Sequence, residues 1–205
     1  PDGYVVKFNA SGQHLWSTYV GGDGFDLGQC IAVDGMGNCY AAGQTNSGGW
    51  VSGGWNTVPN GTVDGFVVKL NPQGLHEWST YLGGITEDRV NDIAADENGN
   101  TYITGQTDSA EWMIGGFDTT PNGWHDGFVV KLSSTGAHFW STCLGGVNND
   151  WGQGIAVDGN RNCCLTGTTY SPDWISGGWN SHYGGSADAF MMKITQHLEP
   201  AAPTN

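Results

Sequence analysis

One heptad, Asp64-Gly65-Phe66-Val67-Val68-Lys69-Leu70, returns along the chain at a fixed step. It opens at Asp2 as Asp-Gly-Tyr-Val-Val-Lys-Phe and at Asp126 as Asp-Gly-Phe-Val-Val-Lys-Leu. It closes at Asp188 as Asp-Ala-Phe-Met-Met-Lys-Ile. The step is 62 residues each time, and Trp16, Trp78 and Trp140 of a Trp-Ser-Thr segment keep it. A period of this size marks an array of supersecondary units, which must be read before any local motif. Three full copies fit, at 2–63, 64–125 and 126–187, with a partial fourth at 188–195. The array is therefore taken as one domain over 1–195. Residues 196–205 drop the motif, carry Pro200 and Pro203, and read as a tail or linker.

Each unit contains four short apolar runs separated by turns. Gln29-Cys30-Ile31-Ala32-Val33 ends in Asp34-Gly35-Met36-Gly37-Asn38, after which Cys39-Tyr40-Ala41-Ala42-Gly43 returns. Asp, Asn and Gly tolerate left-handed backbone and bond their own main chain, so this is hairpin chemistry. A long link over 44–63 precedes the heptad strand. Asn71-Pro72-Gln73-Gly74 then turns into His76-Glu77-Trp78-Ser79-Thr80-Tyr81-Leu82. Four antiparallel strands per unit, with one long loop, make a β-propeller blade. The heptad has no polar face, which fits a blade covered by neighbours on both sides. Apolar spacing of three and four is missing, which disfavours helical repeats. A parallel β-helix has a shorter period. The expected fold is all-β: a propeller of four-stranded antiparallel blades, about three of them plus a partial one.

The linked strings Phe66-Val67-Val68-Lys69-Leu70-Asn71, Trp78-Ser79-Thr80-Tyr81-Leu82-Gly83-Gly84, Ile31-Ala32-Val33-Asp34 with Gly37-Asn38, and Tyr40, Gly43 and Thr45 resemble the SBBP (seven-bladed β-propeller) repeat family. The resemblance covers essentially residues 2–195. It implies a bacterial extracellular or cell-surface propeller that binds or displays, with no reaction common to the family. The Trp-rich stretches 47–55, 109–117 and 171–179 depart from what the family would imply.

Lettered A to D, the strands run CD, ABCD, ABCD, ABC. Fewer than four blades do not make a ring. Closure is expected from further blades of a longer parent or from a second copy.

Charge and thiols narrow the partners. The chain has 20 acidic and 6 basic residues, a net charge of −14. Four of the basics are Lys7, Lys69, Lys131 and Lys193, one per repeat, and read as packing positions with a snorkelling stem. No basic patch remains for phosphates or an anionic bilayer, and no stretch has the apolar length of a membrane span. Cys30, Cys39, Cys143, Cys163 and Cys164 share no repeat position and read as packed thiols, without a disulfide framework or zinc site.

Repeated polar residues receive structural readings. His14, His76 and His138 open the outermost strand and stand apart around the rim, whereas metal ligands must converge. Asp26, Asp88 and Asp150 precede the innermost strand. They either cap turns, pair with the repeat Lys, or gather around calcium; otherwise no cofactor or metal is expected. Ser17, Ser79 and Ser141 lack a nucleophile elbow, and no nucleophile–base arrangement is visible. No catalytic residue is assigned.

The long loops hold the ligand-binding candidates: Trp50 and Trp55, Trp112 and Phe117, Trp174 and Trp179, with Trp124 and Tyr183 nearby. Exposed rings on Gly-shaped loops stack on sugars or anchor proteins. Alternatively, the same rings fold back and fill space between blades. The expected function is a non-enzymatic binding or assembly scaffold. The alternatives are a carbohydrate-binding propeller using these loops, or a hydrolase whose site lies in other blades.

Overall fold

The computed structural model describes residues 1–195 and contains only strands. The expected tail at 196–205 lies outside the described residues. Strands β1 (Gly3–Phe8) and β2 (His14–Val20) form a hairpin. Strands β3 (Asp26–Val33), β4 (Cys39–Thr45), β5 (Asp64–Leu70) and β6 (His76–Leu82) form an antiparallel meander. The next copy repeats it with β7 (Asp88–Ala95), β8 (Thr101–Thr107), β9 (Asp126–Leu132) and β10 (His138–Leu144). The last sheet holds β11 (Asp150–Val157), β12 (Cys163–Thr169) and β13 (Asp188–Ile194). The sheets thus follow the CD, ABCD, ABCD, ABC order. First strands of consecutive sheets lie against each other, β3 on β7 and β7 on β11.

The heptad strand explains its own composition. In the two sheets flanked on both faces, every residue of β5 and β9 is buried. The same motif in β1 and β13 alternates, because only one face is covered. Phe66, Val67 and Val68, and likewise Phe128, Val129 and Val130, therefore fill space against both neighbouring sheets.

Each first strand carries a bulge, at Gly28/Cys30, Val90/Asp92 and Gly152/Gly154. The bulge pushes a carbonyl toward the second strand. A Cβ on Gly43, Gly105 or Gly167 would stand 1.8, 1.9 or 2.0 Å from the carbonyl oxygens of Leu27, Arg89 and Trp151. Only glycine fits there, which accounts for the glycine five residues into β4 and its counterparts.

The repeat Lys and Trp join neighbouring sheets. Lys7 Nζ and Trp16 Nε1 both donate to the Pro72 carbonyl, at 3.0 and 3.1 Å. Lys69 Nζ and Trp78 Nε1 both donate to the Ser134 carbonyl, each at 3.0 Å. Gly74 and Gly136, in left-handed turns, leave room for the Trp16 and Trp78 rings. A second clamp lies at the hairpin end. Tyr40 Oη shares its one proton between Asp34 and the Gly99 carbonyl of the next sheet, 3.1 Å away, and Tyr102 Oη lies 3.3 Å from the Arg161 carbonyl.

The Asp34, Asp96 and Asp158 turns are hairpin caps. Asp34 Oδ1 accepts the Met36 and Asn38 N–H groups, while Oδ2 accepts the Asn38 amide and Tyr40 hydroxyl. Burial opposes ionisation of Asp34, but these bonds outweigh it and hold the carboxyl below its usual range.

Candidate functional site

The long loops do two jobs, and both follow from the unpaired outer edge of the fourth strand. An open edge exposes alternate backbone donors and acceptors and must be covered. In the first complete sheet the loop does this: Ser79 N–H donates to the Ser52 carbonyl and Tyr81 N–H to that of Asn56, at 2.7 and 2.8 Å. Ser79 and Thr80 hydroxyls accept the loop N–H groups of Ser52 and Asn56 in return, both at 2.9 Å. The next copy repeats the set with Ser141 and Cys143 on the carbonyls of Ile114 and Asp118.

This edge cover decides where the candidate aromatics go. Trp50, Trp112 and Trp174 turn inward. Their indole N–H groups donate to Thr45, Thr107 and Thr169 hydroxyls at 3.4, 3.0 and 2.8 Å. Their rings meet Phe66, Phe128 and Phe190 edge to face, with centroids 5.0–5.3 Å apart. Their role is packing. Trp55, Phe117 and Trp179 point to the rim. Trp55 stacks on His138 of the following sheet, centroids 4.2 Å apart and planes 26° from parallel. A rim groove of about 420 Å³ runs beside them between Gly53-Gly54 and Thr135–Ala137. Phe117 and Trp179 are exposed, and no described residue takes against them the place that His138 takes against Trp55. The second aromatic is thus a junction residue where its neighbour is described.

Replacing Trp55 by alanine is expected to cost about 0.5–1.5 kcal/mol beyond the lost contact area. His138→Ala should cost a similar amount, and the double variant little more than either single one, since one stack is removed. Denaturant melts of the four proteins check this; additive losses would refute the stack as a coupling.

One expectation needs correcting. Histidine and serine do meet: His76 Nε2 lies 3.0 Å from Ser79 Oγ, and His138 Nε2 3.1 Å from Ser141 Oγ. They are three residues apart on one strand, bent together by the register shift beside β6 and β10. The pair resembles a nucleophile with its base. Yet both serines are fully buried, and each Oγ already accepts a loop N–H. The geometry fixes the loop to the strand and leaves no approach for a substrate.

The repeated carboxylates are also structural. Asp26 Oδ2 accepts the Gly22 N–H and the Ser47 hydroxyl, and Oδ1 the Thr45 hydroxyl. Asp88 has the matching bonds from Gly84, Ser109 and Thr107. Asp150 takes them from Gly146 and Ser171. Of the three readings open for these residues, turn capping is what the geometry displays. Among the described residues no group of three or more His, Cys, Asp or Glu is placed to hold a metal ion. Burial pushes the thiols of Cys30 and Cys143 up to about 12 and Cys163 to about 11, so they stay protonated and unreactive. All five thiols are free.

A second cleft, of about 590 Å³, opens between the second and third copies, lined by Trp124, Asn148, Asn149, Tyr170, Pro172, Tyr183 and Ser186. Trp124 is 85% exposed. Sequence reading placed Trp124 and Tyr183 near the loops but missed Asn148, Asn149 and Tyr170. The missed signal is negative: these are positions where the repeats disagree.

Comparison with known proteins agrees with the architecture. The SBBP family model, a β-propeller repeat, matches residues 77–111 and 140–172. An uncharacterised WD repeat-containing protein of Acanthamoeba polyphaga mimivirus is 24% identical over 199 residues, covering 82% of this chain and 14% of the relative. A regulatory protein of Caulobacter vibrioides, FlaEY, is 26% identical over 164 residues, covering 77% of this chain and 17% of the relative. The chain therefore spans less than a fifth of either relative.

Proposed function

We propose that this chain, which carries SBBP-type β-propeller repeats, is a non-catalytic scaffold that holds a protein partner within a longer propeller-bearing protein. The observation that carries the reading is where the polar groups go. The repeated Lys, Trp, Tyr, Asp, Ser and Thr side chains are committed to junctions, turns and edge cover, which leaves no repeated group for chemistry. What remains for contact is loop surface, on a chain of net charge −14. Such a surface favours a partner presenting Lys and Arg, since complementary charge steers encounter and rejects acidic competitors. The WD-repeat and regulatory relatives support the scaffold reading, and their greater length supports ring completion by further blades of one parent. A carbohydrate role through the loop aromatics has less support, because Trp50, Trp112 and Trp174 are committed to packing.

The test is to purify the full-length parent from its source under mild cross-linking and titrate salt. A stoichiometric partner with a basic contact surface, released as ionic strength rises, is the expected result. Turnover of a substrate by the isolated chain, or a partner held without salt dependence through an apolar surface, would overturn it.

A further inference from the structure

Internal repetition supplies its own control. A residue shared by every copy serves the blade, whereas a residue that departs from its equivalents is released from that duty. The cleft between the second and third copies is built from departures. Trp124, Asn148, Asn149, Tyr170, Pro172 and Tyr183 stand where the preceding junction has Thr62, Thr86, Glu87, Asp108, Ala110 and Pro121. Three aromatic rings, two amides and a proline thus replace two hydroxyls, two carboxylates, an alanine and a proline.

The replacements are held in place. Tyr170 packs edge to face on Trp151, centroids 5.4 Å apart. The Asn148 amide donates to the Tyr170 carbonyl at 2.9 Å, and the Tyr183 hydroxyl to that of Ser186 at 3.0 Å. Asn148 is exposed beside that bond. The Trp124 ring stays largely bare. A volume of about 590 Å³ lies within the range of small-molecule sites, roughly 300–1,000 Å³. No Lys or Arg lines it, and the chain around it is acidic, so an anionic ligand would meet repulsion without compensation.

We infer that this cleft binds a neutral saccharide of one or two rings. A pyranose has an apolar face of C–H groups that covers an indole ring, and an edge of hydroxyls that both donate and accept. A primary amide offers the same two capacities in one group. An aromatic platform flanked by asparagines, free of charge, matches that ligand better than it matches an extended peptide, which needs an unpaired strand edge or a row of pockets. The inference does not depend on the protein-partner reading.

NMR titration of the whole chain, read at the Asn148 and Asn149 side-chain amides in every variant and also at the indole N–H of Trp124 in the parent, tests it with methyl glucoside, methyl galactoside, N-acetylglucosamine and cellobiose. Saturable movement of those signals by at least one of the four is expected. Trp124→Ala should weaken binding about tenfold, the loss of one aromatic contact. Trp124→Phe should keep part of it, and Phe117→Ala should leave it unchanged. Because Trp124 is exposed, its variants keep the fold, which the rest of the spectrum verifies. No response to any of the four sugars would overturn the inference. So would binding that survives Trp124→Ala, glucuronate bound as well as its neutral counterpart, or a proline-rich peptide occupying the cleft where sugars do not.

Discussion

Trp78→Ala is expected to destabilise the protein by about 3–5 kcal/mol, the range for deleting a buried aromatic. Trp78 is 3% exposed, lies over Gly136 and belongs to the cluster with Tyr40, Val90, Ile103 and Phe128. Its loss removes the ring, one of two donors on the Ser134 carbonyl, and the filling above a glycine that has no side chain of its own. Trp16→Ala should cost clearly less, because Trp16 is only half-buried in a hairpin covered on one face. Trp78→Phe should recover much of the packing but not the hydrogen bond. Urea melts of the three variants check the order. Equal losses at Trp16 and Trp78 would show that the clamp, and not burial, dominates. Since each sheet contacts only its neighbours, the Trp78 variant should also lose cooperativity between the two sheets it joins.

Stability should rise as pH falls from 7 to 5, the reverse of an ordinary acid response. Burial pushes the Asp88 carboxyl up to about 6, against the bonds from Thr107, Ser109 and Gly84, with Asp64 nearby adding to the rise. Burial does the same to Asp126, again to about 6, with Asp150 and Asp118 adding to it. A raised carboxylate binds more protons folded than unfolded between the two pKa values, so the fold loses stability as pH climbs through that window. A shift from 3.8 to about 6 corresponds to at most about 3 kcal/mol per group, reached above pH 6. Below about pH 4 the sign turns. Hydrogen bonds from Asn162 and Asn160, helped by Lys193, hold Asp158 at about 2, and Asp34 is also held low. Their contribution is present above the unfolded value and fades as they protonate. Denaturant midpoints at pH 7, 5 and 4 should therefore rise in that order and turn down below about 4, a window set by these shifts. Asp88→Asn and Asp126→Asn should flatten the slope between 5 and 7. A midpoint that holds level or rises over that interval in the parent chain would contradict the assignment.

The architecture was legible because its causes repeat. Two-sided burial leaves Phe66-Val67-Val68 without a polar face, hairpin caps require the Asp34 and Asn38 types, and both recur at a constant step. The loops were legible only in part. Gly53 and Gly54 read as shaping an exposed aromatic, whereas a Cβ at Gly54 would stand 2.5 Å from the Ser79 carbonyl, and the pair brings the loop onto the outer edge of β6. That edge partner is 25 residues away, beyond any local pattern. The approach of His138 to Ser141, three residues on, depends on a register shift, and its approach to Trp55, 83 residues back, on two sheets meeting; neither leaves a local pattern. The cleft was invisible for another reason. Attention to repeating residues passes over Asn148, Asn149 and Tyr170, and only the fold shows that these exceptions share one place.

The clamp between sheets has a direction. At the two junctions described, Lys and Trp give and the turn carbonyl of the following copy receives, as Lys7 and Trp16 do on Pro72 and Lys69 and Trp78 on Ser134. Such an array behaves like couplings between railway carriages, hook at one end and eye at the other. A carriage can be removed or added wherever two equivalent points are joined, and the freshly met ends still fit. Reversing one would leave two hooks facing each other. Length in these proteins can therefore change by whole units without a new junction having to be invented, while the loops of each unit stay free to diverge, as those around Trp124 have done.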